Sequence, residues 1–459
     1  MVEPTPTSPH LIIGLGQTGL SCARYFKRQN APFIVLDTRQ HPPQQETFLQ
    51  EFPGVPLYLG HLPDSILPTL KSLVVSPGVH RTAPWFTNLV SATQLTPYGD
   101  IELFAQQANA PIIAITGTNA KGTVTTLVGD FLSAAGYNVV VCGNIGQPVL
   151  DQLTQPTPDF YILEISSFQL ETTVSLRAHV ATILNISPDH LDRHQNLHTY
   201  QQTKQRIYQG CQIAVWNQVD PATYPQAENL EKSAIIRSFG FAADEQEIEA
   251  FGLHAFDNKH YLTYGKKPLL CVDSLSIKGQ HNWLNALAAL TIGNAVGISV
   301  STMSDALRAF KGLTHRCQWI QEIKGVAWYN DSKATNVGAT FAALQGLGSS
   351  ISGKIILIAG GLGKNADFTL LRDSVTRYVK TVILFGQDAP QLKKALQTCT
   401  VLHSAADLRN AMTLAKQNAE PGDIVLLSPA RASWDMFKNY EERGDQFIQI
   451  VEEFSKNAN

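Results

Sequence analysis

The sequence is poor in cysteine and lacks both clustered positive charge and long apolar runs. Its six cysteines include no CxxC pair, which argues against a zinc knuckle or a disulfide framework and favours a reducing cytoplasm. The net charge is −3 and no long run of lysine or arginine occurs, so we expect no nucleic-acid partner. No stretch approaches the roughly 18 apolar residues of a membrane span, and the N-terminus has no targeting pattern. We therefore expect a soluble, cytoplasmic protein.

Alternating strand and helix patterns predict three α/β units in the 459 residues. The predicted boundaries are 1–99, 100–312 and 313–459. The first unit has the patterns HLIIGLGQTGLSCARYF, APFIVLD and LKSLVVSPG. The second has the strand patterns APIIAITGTNAKGT, NVVVCGN, FYILEIS and VATILNIS and the helix HNWLNALAALTIGNAVG. The third has VAWYND, KIILIAGG, TVILFG and DIVLLSP. Between 213 and 278 the signal is weak, although HYLTYG and LLCVDSLSI indicate antiparallel strands.

The first glycine-rich turn matches a dinucleotide-binding fingerprint. Gly14, Gly16 and Gly19 form G-x-G-x-x-G after a strand, and Asp37 lies 18 residues beyond the last glycine. A nicotinamide or flavin cofactor, another nucleotide at the same helix N-terminus, and a purely structural turn all fit this pattern. The turn alone leaves the choice open.

The second glycine-rich turn, ITGTNAKGTVTT at 115–126, is typical of a loop that binds phosphates. Backbone N–H groups and the helix dipole favour an anion at such a helix start, and Lys121 adds a positive charge. Gly122, however, stands where an ordinary phosphate loop has a Ser or Thr that binds Mg²⁺. We expect a nucleotide site that lacks one metal ligand, with Ala120 strained by about 1 kcal/mol if its φ is positive.

Two polar stretches follow successive strands of the second unit. EISSFQLE places Glu164 at the end of one strand, and NISPDHLDRH places His190 after the next. A carboxylate and an imidazole beside a phosphate loop are better explained as Mg²⁺ ligands than as structural residues. Lys204, by its local sequence alone, is typical of a solvated helix lysine.

The third unit has two polar stretches of its own. NDSKATN at 330–336 and LSPARASWDMFKNYEERG at 427–444 each follow a strand. Helix caps explain their Ser and Asp residues. They do not explain Lys333 and Lys364 at the ends of separate strands, where an acidic substrate could bind.

In their order along the chain these motifs resemble the Mur ligase family. The matching stretches are GLGQTG, GDIELF, GNIG, EISSFQLETT, DHLDR, GQHNWLNALAAL, THR, NDSKATN, GGLGKNADF, SPARAS and FKNYEERG. The resemblance implies a Rossmann-like N-terminal domain for a UDP moiety, a central P-loop-type ATPase sheet and a Rossmann-like C-terminal domain for an amino acid. It is strongest to the members that use ATP and Mg²⁺ to add D-glutamate to UDP-N-acetylmuramoyl-L-alanine (UDP-MurNAc-L-Ala).

Such a member is an ADP-forming ligase of cytoplasmic peptidoglycan precursor synthesis, and so of cell wall biogenesis, cell shape, cell division and the cell cycle. The implied partners are small molecules, without nucleic acid or membrane, and we expect a monomer. Three rivals stay open: a related ligase for another amino acid, a catalytically impaired member that only binds UDP-sugar, and a Rossmann dehydrogenase.

The resemblance also implies a role for individual residues. The UDP-substrate set is Thr18, Asp37, Thr38, Arg39, Gly78 and Asn144. The ATP set is Gly117, Thr118, Asn119, Ala120, Lys121, Gly122, Thr123, Asn282, Asn285, Arg316 and Asp331. The catalytic set is Lys121, Glu164, His190 and Lys204, and the metal set is Glu164, His190, a carbamate on Lys204, and Thr123. The D-glutamate set is Lys333, Thr335, Lys364, Ser433 and Tyr440.

Three departures from the family pattern affect particular positions. Ala120 and Gly122 stand where the family usually has Gly and then Ser or Thr, and Leu362 stands where Asp is usual. The segment after Arg193 is shorter than in many members.

Overall fold

A computed structural model describes residues 8–241, 250–349, 351–363 and 367–456, which divide into two compact units. The first unit extends to Ile186 and includes His190–Phe239 and Ala288–Met303. The second holds Ser187–Asp189, Gly240–Leu287 and the chain from Ser304 onward. No helix of the described ranges is long and apolar enough to cross a membrane.

The first sheet of the first unit has four parallel strands in the order β3-β2-β1-β4. The strands are β1 (His10–Ile13), β2 (Phe33–Asp37), β3 (Leu57–Leu59) and β4 (Ser72–Val75). The α-helices are α1 (Gln17–Arg28), α2 (Gln45–Glu51), α3 (Pro84–Thr93) and α4 (Asp100–Ala105), with a 3₁₀ helix at Asp64–Thr69. Both faces of β1 are covered, which explains its unbroken apolar sequence.

The second sheet of this unit has six parallel strands in the order β10-β9-β8-β5-β7-β6. The strands are β5 (Ile112–Thr116), β6 (Val139–Gly143), β7 (Phe160–Glu164), β8 (Val180–Ile183), β9 (Ile213–Asn217) and β10 (Ile235–Phe239). The α-helices are α5 (Lys121–Ala134), α6 (Val149–Gln152), α7 (Ser167–Leu170), α8 (Leu191–His194) and α9 (Leu197–Gln205), with 3₁₀ helices at Arg206–Tyr208, Pro221–Thr223 and Ala227–Asn229. Because β5 lies between β7 and β8, the polar segments that follow these three strands share one sheet edge.

The second unit begins with a three-stranded antiparallel sheet of β11 (Phe251–Phe256), β12 (Lys259–Tyr264) and β13 (Lys267–Cys271). The predicted strand LLCVDSLSI is wrong beyond Cys271. The Ser274 hydroxyl donates a 2.6 Å hydrogen bond to the Cys271 carbonyl oxygen, and the 3₁₀ helix Val272–Ser274 replaces the extended chain. Helices α10 (Gln280–Ala295) and α11 (Val300–Ala309) follow, and α10 confirms the predicted long helix.

The last sheet has six strands in the order β14-β15-β19-β16-β17-β18, parallel except for the edge strand β14. The strands are β14 (Gln318–Ile323), β15 (Val326–Asn330), β16 (Ile355–Gly360), β17 (Val379–Phe385), β18 (Val401–Ser404) and β19 (Ile424–Leu427). The α-helices are α12 (Val337–Gly348), α13 (Arg372–Tyr378), α14 (Ala389–Leu396), α15 (Leu408–Asn418) and α16 (Tyr440–Lys456), with a 3₁₀ helix at Phe368–Leu371. The predicted α/β class with mostly parallel strands is confirmed, and the domain boundaries at 99/100 and 312/313 stay a prediction.

Candidate functional site

A cavity of about 590 Å³ opens in the first unit, within the usual size range of small-molecule sites. Its lining includes every residue of the predicted UDP-substrate set: Thr18, Asp37, Thr38, Arg39, Gly78 and Asn144. The structure thus brings together side chains that are spread over more than 120 positions of the sequence.

The glycine turn between β1 and α1 forms part of this cavity. Gly14 has a φ of +93°, a value that suits glycine and strains other residues. A Cβ atom on Gly19 would lie 1.9 Å from the Gly14 carbonyl oxygen, so only glycine lets the helix approach the strand this closely. Gly16 caps α1 without a side-chain hydrogen bond, and this helix start lines the cavity. A helix start of this kind favours an anionic group.

Asp37, at the end of β2, fixes the local geometry through hydrogen bonds. Its carboxylate accepts 2.7 Å bonds from the backbone N–H of Leu15 and from the guanidinium of Arg39. Burial alone would raise the pKa of Asp37, but the hydrogen bonds from Arg39 and Leu15 hold that pKa below its ordinary value. The carboxylate is therefore ionised at neutral pH and holds the guanidinium of Arg39 at the cavity wall.

The second glycine turn closes against the segment after β8. The backbone N–H groups of Thr118 and Asn119 donate to the carbonyl oxygen and the side-chain oxygen of Asn185, at 2.9 and 2.8 Å. Ala120 has a φ of +66°, which confirms that this position needs the left-handed conformation. Ala120 caps α5 without a side-chain hydrogen bond, so the start of this 14-residue helix has the polarity of an anion site.

Lys121 folds back over its own loop. Its Nζ atom donates to the carbonyl oxygens of Gly117 and Thr118 at 2.8 and 2.9 Å. The positive charge therefore lies on the loop whose backbone would surround a phosphate. The adjacent residues Gly122 and Thr123 are buried in the first turn of α5.

Lys204 is buried, with 1% of its surface exposed, so the interpretation as a solvated helix lysine is wrong. Its Nζ atom donates to the Gly117 carbonyl oxygen at 2.9 Å and to the Thr116 hydroxyl at 3.2 Å. The ammonium group also lies 4.7 Å from the centre of the Tyr200 ring. The structure thus places Lys204 against the start of the phosphate loop.

Glu164 connects the UDP-substrate set with the metal set. Its Oε1 atom accepts a 2.7 Å hydrogen bond from the side-chain amide of Asn144, which lines the cavity. Its Oε2 atom is buried and, within the described ranges, has no hydrogen-bond partner. A buried carboxylate oxygen without a donor is costly, and a bound cation would remove that cost. Glu164 therefore fits the role of a Mg²⁺ ligand.

His190 is the N-cap residue of α8 and is exposed, with a φ of +53°. Its ring centre lies 4.8 Å from that of Phe168, and the guanidinium of Arg193 lies 4.1 Å from the same ring on Phe168. Among the described residues, no group of three His, Cys, Asp or Glu side chains could hold a metal ion. A Mg²⁺ ion here would therefore need other ligands as well, such as the phosphate oxygens and waters that it commonly takes.

Sequence reasoning missed the role of Arg193, which ties these elements together. Arg193 donates 3.1 and 2.7 Å bonds to the two carboxylate oxygens of Glu171, and a third bond of 2.6 Å to the Pro77 carbonyl oxygen. Pro77 and Gly78 both line the cavity. The only sequence signal was the position of Arg193 three residues after His190, which does not reveal a partner 116 residues away.

The second unit holds the remaining four residues of the predicted ATP set. Asn285 donates a 3.1 Å bond to Asn282, and both are buried on α10. Asp331 follows β15 and accepts a 2.8 Å bond from the Ser428 hydroxyl. Burial raises the pKa of Asp331 to about 7, against the opposing hydrogen bonds and the positive charge of Arg316.

The predicted D-glutamate set lies in the same unit. The Lys333 ammonium group lies 3.6 Å from the centre of the Tyr440 ring, Thr335 is exposed and Ser433 is buried. Lys364 lies outside the described residues. Leu362, which replaces the usual Asp, donates its backbone N–H to the Ala432 carbonyl oxygen at 3.0 Å, next to Ser433. The chain on the N-terminal side of Lys364 therefore runs beside Ser433.

Comparison with known proteins gives matches along the whole chain. Three family models match: a Mur ligase MurD-like N-terminal domain over residues 8–94, a Mur ligase middle domain over 115–293, and a Mur ligase glutamate ligase domain over 315–431. Among solved structures, the MurF ligase from Thermotoga maritima in complex with ADP has a TM-score of 0.62 at 13% identity, and covers 99% of this chain and 100% of its own. At that identity the likeness shows the fold alone.

Curated relatives are much closer in sequence. A UDP-N-acetylmuramoylalanine--D-glutamate ligase from Legionella pneumophila is 48% identical over 97% of this chain and 99% of its own. A protein of the same name from Coxiella burnetii is 49% identical over 96% of this chain and 98% of its own. On this full-length identity, together with the three matching models, the chain belongs to the Mur ligase family.

Proposed function

We propose that this protein is an ATP-dependent amide ligase that adds D-glutamate to UDP-N-acetylmuramoyl-L-alanine. The observation that carries the proposal is the 48% identity over 97% of the chain to a relative named for this reaction. A Rossmann dehydrogenase would leave the second glycine turn, Lys204 and Glu164 without a role. The reaction is a step of cytoplasmic peptidoglycan precursor synthesis, and we propose that the enzyme acts as a monomer.

The cavity of the first unit would hold the UDP part of the substrate. The uncapped start of α1 suits the diphosphate, and Asp37, Thr38 and Arg39 offer hydrogen-bonding groups to the uridine. Asn144 would contact the sugar or the diphosphate. Its bond to Glu164 would then link substrate binding to the position of a metal ligand.

The loop 117–123 would bind the phosphates of ATP. The N–H groups of Thr118 and Asn119 bond to Asn185, so the anion would lie at the start of α5. An ammonium group prefers a phosphate oxygen to a neutral carbonyl oxygen as hydrogen-bond partner. Lys121 would therefore exchange a carbonyl partner for a phosphate oxygen. Asn282, Asn285, Arg316 and Asp331 would bind the rest of the nucleotide.

Glu164 and His190 would hold Mg²⁺, with Thr123 as a further candidate ligand. Magnesium bound there would offset negative charge on the transferred phosphoryl group. A carbamate on Lys204 would add an anion that a plain lysine cannot provide. The buried Oε2 atom of Glu164, which has no hydrogen-bond partner within the described residues, is the structural feature that supports this assignment.

The proposed chemistry has two steps. An oxygen of the alanyl carboxylate attacks the γ-phosphorus of ATP, an O–P bond forms while the bond to ADP breaks, and an acyl phosphate results. The amine of D-glutamate then attacks the acyl carbon, phosphate leaves, and the nitrogen loses a proton as the amide forms. Lys121 stabilises charge on the phosphates, and Lys333, Thr335, Lys364, Ser433 and Tyr440 would orient D-glutamate.

The test is phosphate release with UDP-MurNAc-L-Ala, ATP and Mg²⁺ across a panel of L- and D-amino acids. We expect release with D-glutamate and little with L-glutamate or D-alanine. Preference for another amino acid would indicate a related ligase. Binding of UDP-MurNAc-L-Ala without phosphate release would indicate an impaired member. In a separate measurement, a change in NADH fluorescence on addition of the protein would favour a dehydrogenase.

A further inference from the structure

Asp100, the first residue of α4, is an acidic residue of the cavity wall that none of the predicted site sets includes. It is 4% exposed and lines the same cavity as Asp37 and Asn144. Within the part of the chain that the structure describes, its Oδ1 atom is buried and has no hydrogen-bond partner.

A buried carboxylate oxygen without a donor is unfavourable, because the water that solvates it in the unfolded chain is lost. Burial raises the pKa of Asp100 to about 6, against the backbone N–H of Ile101 and the side chain of Gln169. Near pH 7 and above, the group is therefore mostly ionised and still lacks a partner for Oδ1. A ligand that donates a hydrogen bond there would remove this cost.

The neighbours of Asp100 indicate which part of a ligand would contact its Oδ1 atom. Its charge adds to burial in raising the pKa of the Cys142 thiol to about 12, and Cys142 lies in β6, which ends at Gly143. Asp100 and Gly143 line the same cavity. Gln169 lines the cavity as well. The segment Asp37–Arg39, which is proposed to bind uridine, begins at the end of β2 in the four-stranded sheet, whereas Gly143 ends β6 in the six-stranded sheet.

The chemistry of a UDP-sugar narrows the choice further. A diphosphate carries negative charge and no donor, so a carboxylate would repel it. A sugar carries hydroxyl and amide N–H groups, which are donors. We propose that Oδ1 of Asp100 accepts a hydrogen bond from a hydroxyl or amide N–H group of the sugar half of the bound substrate. This inference rests on the proposed function.

The experiment compares the binding of UDP and of UDP-MurNAc-L-Ala by calorimetry for the parent protein, Asp100→Asn and Asp100→Ala. A hydrogen bond to a charged group corresponds to a change of about tenfold or more in affinity. We expect both variants to bind UDP-MurNAc-L-Ala about tenfold or more weakly, Asp100→Ala the more so, while their affinity for UDP stays unchanged.

Glu102→Gln is the matched control on the same helix. Glu102 is also buried, but it does not line the cavity, and its carboxylate accepts hydrogen bonds from the N–H groups of Val174 and Ser175, at 2.7 and 3.0 Å. We expect Glu102→Gln to lower the thermal midpoint without weakening substrate binding. Asp100→Asn should instead raise the thermal midpoint of the ligand-free protein, because it removes an unpaired buried charge.

Each outcome separates this inference from the proposed function. If the parent binds UDP-MurNAc-L-Ala and Asp100→Asn and Asp100→Ala bind it as well, the role of Asp100 is wrong and the proposed function stands. An equal loss of affinity for UDP would overturn the assignment to the sugar half. If the parent fails to bind UDP-MurNAc-L-Ala, both the proposed function and this inference fail.

Discussion

The Nζ atom of Lys204 donates a 2.9 Å hydrogen bond to the carbonyl oxygen of Gly117, the first residue of the phosphate loop. A lysine so buried costs free energy unless its charge has a function or a partner. The bond couples α9 to the loop, so a change at position 204 affects the loop as well as any metal site beside it. Experiments must therefore separate the effect of Lys204 on the loop from its effect on a metal site.

We predict that Lys204→Ala loses most ligase activity and that a short carboxylic acid in the buffer restores part of it. The acid would replace the carbamate anion in the space left by the side chain. Acetate or propionate is titrated into an ADP-formation assay at saturating substrates.

Lys204→Arg provides the contrast, because arginine keeps a positive donor near Gly117 but does not form a carbamate. We expect Lys204→Arg to be inactive and not restored, since its side chain fills the space. Full activity in Lys204→Ala would show that the lysine is dispensable. Restoration of Lys204→Arg to the same extent would contradict the carbamate.

A second prediction concerns the loop that lacks the usual hydroxyl. We predict that Gly122→Ser lowers the Mg²⁺ concentration for half-maximal activity by roughly tenfold or more. The new hydroxyl would replace a water as a Mg²⁺ ligand, and the loss of a supporting group at a metal site typically costs about 10- to 100-fold in metal affinity. Lys121→Ala should nearly abolish turnover. The measurement is a Mg²⁺ titration of ADP formation for the parent and both variants.

Gly122 is buried in the first turn of α5, so the thermal midpoint of Gly122→Ser must also be measured. A folded Gly122→Ser protein with an unchanged Mg²⁺ dependence would show that Thr123 or water already fills the vacant ligand position. If Lys121→Ala keeps near-parent turnover at saturating Mg²⁺, the loop is only a structural turn.

A third prediction uses the positive φ of Ala120. The left-handed conformation costs a non-glycine residue about 1 to 2 kcal/mol. Glycine in turn lowers the free energy of the unfolded chain by about 0.4 to 1 kcal/mol, because it gives that chain more conformational entropy. We therefore expect Ala120→Gly to stabilise the protein by up to about 1 kcal/mol, measured by urea denaturation.

Ala135→Gly is the matched control at the other end of α5. Ala135 has a φ of −82°, where alanine is unstrained. The same substitution there should lower stability by about 0.4 to 1 kcal/mol, because glycine gives the unfolded chain more conformational freedom. If both variants lower stability equally, Ala120 is not strained.

The central parallel strands such as β1, β5 and β16 were predicted because they are buried on both faces and read as continuous apolar runs. The parallel strands β3, β9 and β10 were not predicted. The edge strands β14 and β18 were not predicted. Half-exposed side chains such as Trp319 and Leu402 interrupt the apolar pattern, and pairing with a neighbouring strand defines the element. The β14–β15 hairpin turns at Lys324 and Gly325, both with positive φ, although only the glycine signals this in the sequence.

The cavity set was predicted from the resemblance to the Mur ligase family, and the fold brings most of it together because residues at the ends of parallel strands meet at one edge. The burial of Lys204 and the bonds of Arg193 were not, since each depends on a partner more than 80 positions away. Asp100 belongs to GDIELF, one of the stretches that match the family, but the resemblance implied no role for it. Its unpaired oxygen is a property of the folded environment, which local sequence does not specify.

The final prediction concerns Asp331 and the pH dependence of stability. Its pKa in the folded protein is about 7, against an ordinary value of 3.8, because burial disfavours the charged form. Between these two values the folded state holds a proton that the unfolded state has released. The contribution of Asp331 to stability must therefore fall as pH rises from about 4 to about 7, by up to about 1.4 kcal/mol per pH unit, and level off above.

We predict that Asp331→Asn removes this fall, because asparagine keeps the shape and does not titrate. Urea midpoints are measured from pH 4 to pH 8 for the parent and Asp331→Asn, and the difference between the two proteins should grow with pH up to about 7. Asp37→Asn is the control, since the pKa of Asp37 lies below its ordinary value. Asp37 contributes stability above about pH 4 that is lost in acid, so Asp37→Asn should lower stability by a nearly constant amount between pH 5 and pH 7. If Asp331→Asn keeps the parent's fall in stability between pH 5 and pH 7, the raised pKa is wrong.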